Sequence, residues 1–115
     1  SFALTAAQRA AIVDSALTQL AVIAPAEAWP PLRAVHRLVG GATRTPEREA
    51  RVVEVLRPYC LPEAADEKPW WDALFALRAL GTPAARAVVD EAIARVPPGR
   101  AHDVMITELD AEGPW

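Results

Sequence analysis

The chain is poor in the residues that most often carry chemistry. One cysteine, Cys60, stands in 115 residues, so no internal disulfide can form. Serine occurs only at Ser1 and Ser15, and histidine only at His36 and His102. A serine nucleophile requires a base and an orienting partner, and neither serine lies in a strained turn motif. Cys-x-x-Cys, His-x-x-x-His and Glu-x-x-His spacings are absent, which excludes the common metal frameworks. The five glycines are turn or terminus residues and do not gather into a phosphate-binding loop. No cofactor and no metal are therefore assigned. No run approaches the roughly 20 apolar residues of a membrane helix. The N-terminus lacks a basic segment followed by an apolar core, so no secretory signal is expected and the expected location is cytoplasmic. Lysine appears once, at Lys68, and asparagine not at all. With abundant alanine and arginine, this is the residue usage of a GC-rich bacterial genome and does not indicate an arginine-specific function.

What is present is a folding chain. Hydrophobic residues make up 52% and charged residues 23%, which excludes a disordered tail and a collagen-like chain. A chain of this length reads as one domain able to bury about two-thirds of its unfolded surface. The net charge of −3 argues against whole-molecule attraction to nucleic acid.

Apolar residues recur at helical spacing between strong stop signals, and no segment alternates as a half-buried strand does. Thr5 with Gln8 forms a capping box for a first helix carrying Ile12, Val13, Ala16, Leu17, Leu20 and Ile23, which Pro25 terminates. Pro30 and Pro31 open a second helix with Leu32, Val35, Leu38 and Val39, ended by Gly40 and Gly41. Thr45-Pro46-Glu47 starts a third helix with Val52, Val53, Leu56 and Tyr59, which Pro58 limits. Residues 61–69 read as a polar loop with Asp66 as a cap. A fourth helix, from about Trp70 to Leu80, is apolar around most of its circumference and is expected to be central. Gly81 ends it, and Thr82-Pro83 starts a fifth helix with Ala85, Val88, Val89, Ala92, Ile93 and Val96. Arg86–Asp90 and Glu91–Arg95 are opposite-charge pairs at four-residue spacing on its exposed side. Pro97-Pro98-Gly99 closes the fifth helix. A short last helix from about Ala101 to Leu109 is expected, with an extended Val104–Thr107 as the alternative and a frayed end from Asp110 to Trp115.

The chain also resembles itself. Arg37-Leu38-Val39-Gly40 matches Arg78-Ala79-Leu80-Gly81, and Thr45-Pro46 matches Thr82-Pro83. Ala50, Val52 and Leu56 match Ala87, Val89 and Ile93 at the same offset as the Thr-Pro pairs. Over residues 32–96 this pattern resembles two units of the HEAT-repeat family of α-solenoids. The best match is Leu74 to Ile93, where a leucine-glycine turn with Pro83 joins two helices. Thr82 stands where the family often has aspartate, and the inserted turn Gly41–Arg44 departs from the short form. The expected fold is all-α: a compact HEAT-like stack of antiparallel helical hairpins with five to six helices. A plain five-helix bundle is the alternative. Within one domain, 1–28 is a capping helix, 29–60 and 70–97 are hairpins, and 100–115 is a cap or tail.

Two sets of side chains are candidates for function. The balance of charge is +3 from Trp29 to Pro58 and −4 from Ala101 to Trp115. Arg33 and Arg37, and Arg48 and Arg51, share helix faces by spacing. Together with Trp71, Arg86 and Asp90 they are the candidate surface for a protein partner. By resemblance to the family, the second helix of each unit presents that face. Trp70 and Trp71 are adjacent and so point about 100° apart on a helix. Core packing is the expected role for both, and Arg78 is placed for cation–π packing with Trp71 and Phe75. The alternative is a small-molecule pocket or accessory enzyme site lined by His36, Tyr59, Cys60, Trp71 and Phe75. The reading is a non-enzymatic protein–protein interaction module of adaptor, regulatory or toxin-neutralising type. Neither specific nucleic acid nor membrane is expected as partner, and a homodimer through Trp70–Phe75 is the alternative assembly.

Overall fold

Local signals set the helix ends in the computed structural model, which describes residues 3–23, 27–39, 44–60 and 68–111, with positions 29, 68–70 and 101 described by backbone alone. Helix α1 runs Ala6–Leu20 behind the expected capping box: the Gln8 amide donates to Thr5 Oγ1 (3.1 Å) and the Thr5 amide to Gln8 Oε1 (2.9 Å). Helix α2 (Trp29–Leu38) starts one residue ahead of its two prolines, where missing N–H groups cost nothing. Helix α3 (Pro46–Cys60) begins after Thr45, whose hydroxyl accepts from the Arg48 amide at 3.1 Å. Helix α5 (Pro83–Ala94) repeats that start, with the Ala85 amide donating to Thr82 Oγ1 at 3.2 Å. Helix α4 (Lys68–Leu80) ends at Gly81, whose φ of +69° is the left-handed conformation that glycine takes without steric cost. Helix α6 spans Arg100–Asp110.

Two boundaries differ from expectation, and the expected last helix forms. Pro58 lies inside α3, and the helix continues to Cys60. Proline there removes one bond, to the carbonyl of exposed Glu54, which water can satisfy. The polar loop expected over 61–69 gives way to helix at Lys68. Segment Val104–Thr107 is helical and not extended, because Met105 and Leu109, one turn apart, are both buried. The expected stops at Pro25, Gly40 and Gly41, the cap at Asp66 and the end at Trp115 lie outside the described residues.

The described residues contain six helices and no strand, so the fold is all-α. Helix α4 sits in the middle, packed against α2, α3 and α5. Its Ala73, Leu74, Ala76, Leu77 and Leu80 are buried and Trp71 and Phe75 half-buried, which leaves Ala79 exposed on the remaining side. Alternate helices fall into two layers. Helix α3 touches α1 on one side and α5 on the other, while α2 lies along α4. Units of 29–60 and 70–97 taken separately would set α2 against α3. The extensive contacts of α2 are instead with α1 and α4, against which it buries Leu32, Val35 and Val39. Helix α6 is the least embraced, resting on α5. The Arg44 guanidinium donates to the Leu80 carbonyl, so the start of α3 is tied to the negative end of α4. No helix among the described residues is long and apolar enough to cross a membrane.

Candidate functional site

The arginines expected to face a partner divide by layer. On α3, Arg48 turns toward α1: its Nε lies 3.0 Å from Asp14 Oδ1 and its Nη2 3.1 Å from Asp14 Oδ2. This two-pronged geometry is the strong form of the guanidinium–carboxylate contact. The hydrogen bond from Arg48 holds the Asp14 carboxyl below its ordinary range, against the opposing effect of partial burial. One turn on, Arg51 Nη2 donates to Thr18 Oγ1 at 3.2 Å, so both side chains brace α3 against α1. Helix α3 is joined to α5 in the same way, with Arg57 Nη2 3.2 Å from Glu91 Oε2. The expected pairs within α5 form: Arg95 reaches Glu91 at 3.4 Å and Arg86 reaches Asp90 at 3.8 Å. The face carrying Arg48, Arg51, Arg86 and Asp90 is therefore a belt of charges that answer one another across α1, α3 and α5. Arg33 and Arg37 stand apart from it, exposed on α2.

The residues of the alternative pocket are also distributed. Phe75 stacks between two rings, with His36 of α2 at 6.1 Å and Trp71 at 5.9 Å between centroids. Trp71 is half-buried, and with Phe75 it lines a shallow hollow of about 280 Å³ whose other wall is Val104 and Glu108 of α6. The side chain of Trp70 lies outside the described residues. Arg78, one turn beyond Phe75, is 5% exposed, the one charged side chain buried among the described residues. Tyr59 lines a separate hollow with Leu20, Ile23 and Pro58, and its hydroxyl donates to the Leu20 carbonyl at 2.6 Å. Cys60 is fully buried in the core, and desolvation pushes its thiol up to about 12, which keeps it from forming the reactive thiolate at neutral pH. Among the described residues no three of His, Cys, Asp and Glu gather to hold a metal ion.

One surface feature was missed in the sequence. Between α1 and α2 runs an open groove of about 410 Å³, lined by Ala11, Ile12, Ser15, Ala16, Gln19, Pro30, Pro31 and Ala34. Ile12 was expected in the core stripe but is 38% exposed on the wall of this groove. Ile12 and fully buried Val13 lie about 100° apart on the helix, and the core closes on the Val13 side. Adjacent Ala16 and Leu17 are both buried, so spacing alone held no signal that Ile12 would differ.

No protein-family model, no curated protein and no solved structure matches this chain.

Proposed function

We propose that the chain is a non-enzymatic protein–protein interaction module of adaptor, regulatory or toxin-neutralising type, acting in a bacterial cytoplasm. It is read as a HEAT-like stack: the two layers of alternating helices support that reading, although α2 packs on α1 and α4 and not on α3 as the expected first hairpin requires. The observation that carries the function is the uneven use of charge. The charges on α1, α3 and α5 hold those helices to one another, whereas Arg37 lies exposed on α2, the helix that forms one wall of the open groove. A surface whose charges are already matched offers a partner little, and an apolar trough on a helix with an exposed arginine offers both contact area and steering.

The test is capture of interacting proteins from the native host with two variants beside the unmodified chain. Arg33→Glu with Arg37→Glu is expected to lose a partner that Arg86→Glu with Asp90→Arg retains. The reverse pattern, or an identical partner list in all three, contradicts the proposal.

A further inference from the structure

We infer that α6 is a hinged cover: it swings away from the rest of the fold about Gly99, as one unit, while α1 to α5 stay folded. This goes beyond the reading of the chain as an interaction module and does not depend on it.

The first observation is how α6 is attached. Each of the other helices packs on at least two neighbours, and α6 chiefly on α5. Its anchors are Met105 and Leu109, one turn apart and buried, while Val104, Thr107, Glu108 and Asp110 are exposed. Polar ties join α1, α3 and α5: Asp14 to Arg48, Thr18 to Arg51, Leu20 to Tyr59 and Glu91 to Arg57. Among the described residues the polar side-chain contacts of α6 stay within the helix. The Thr107 hydroxyl donates to the Asp103 carbonyl at 2.9 Å, and His102 Nδ1 lies 3.6 Å from Asp103 Oδ1. An element anchored by two apolar side chains without a cross-helix hydrogen bond belongs to the low end of local stability.

The second observation is the joint. Threonine hydroxyls cap α1, α3 and α5, but Gly99 leads into α6 with no side-chain cap. Its φ of +152° is a conformation for glycine alone, and a Cβ there would meet no atom within 4 Å. Pro97 and Pro98 ahead of it are exposed and fixed in φ, so rotation concentrates at Gly99. A stiff arm followed by one free joint in open space lets the helix move as a body.

The third observation is what α6 stands over. Val104 and Glu108 form the wall opposite Trp71 and Phe75 of α4. Opening removes that wall and exposes Met105 and Leu109. The buried side of α4 does not open with it, because α2, α3 and α5 enclose that helix.

The experiment is hydrogen exchange of the full unmodified chain, read by mass spectrometry in urea below the unfolding transition. Residues 102–110 are expected to be protected at least about a hundredfold less than 73–80, yet more than an unstructured peptide, and with a weaker urea dependence. Gly99→Ala strains the docked joint and is expected to speed exchange of 102–110 about tenfold, leaving 73–80 unchanged. Thiol labelling reads the same motion. In Met105→Cys the introduced thiol is expected to react at least about a hundredfold faster than that of Cys60, which is buried in the core. Equal protection of 102–110 and 73–80, with equal urea dependence, overturns the inference, since α6 then opens only with the whole fold. Exchange of 102–110 at the unstructured rate overturns it too, since α6 then covers nothing. Equal acceleration of both segments by Gly99→Ala, or equal labelling of the two thiols, also contradicts a separate hinge motion.

Discussion

Asp14 and Arg48 illustrate how a side chain that spacing marks as surface charge becomes a structural strut. The Arg48 side chain is 18% exposed and that of Asp14 47%, so the pair is only partly shielded from water. Its worth is accordingly modest, about 1 kcal/mol or less. The Asp14 carboxyl is depressed in the folded protein by the hydrogen bond from Arg48. A group depressed in this way stabilises the fold above its unfolded value, about 4 for an aspartate, and loses that contribution as pH falls through the folded value. Arg48→Met is thus expected to lower stability slightly at pH 7 and to be indistinguishable from the unmodified chain in strong acid. Urea unfolding at both pH values checks this, and a pH-independent difference would show that the loss comes from packing alone.

Helix punctuation was legible because it is local chemistry. Thr5, Thr45 and Thr82 cap as their neighbours require, and Gly81 turns the chain between α4 and α5. A Cβ at Gly81 would meet nothing closer than 3.8 Å, so space is not the constraint. The backbone conformation is, and Gly81→Ala is expected to cost about 1–2 kcal/mol. Gly81→Asn should cost less, since asparagine tolerates the left-handed region. Chemical denaturation of the two variants measures the difference, and equal stability of Gly81→Ala and the unmodified chain would contradict it. The central place of α4 was legible for a related reason: a helix apolar on nearly every side needs neighbours on nearly every side. What was not legible was which side of an arginine-bearing helix meets another helix. Arg48 looks like any other helix arginine in sequence, and only the position of Asp14 across the α1–α3 interface marks it as a strut. The same holds for Ile12, which periodicity assigned to the core and packing left on the groove wall.

At the scale of the whole molecule, the fold separates a self-satisfied surface from an available one. Ionic and hydroxyl contacts tie α1 to α3 and α3 to α5, which leaves that layer little to offer a binding protein. The groove lies at the edge of that layer, between α1 and α2, with Arg37 exposed on α2. Amide hydrogen exchange of the chain, free and with a partner protein captured from the host, tests this division most directly. The account predicts new protection confined to residues 8–19 and 30–38, with α3 and α5 unchanged. Protection appearing instead along α3 and α5, with residues 8–19 and 30–38 exchanging as in the free chain, would contradict it.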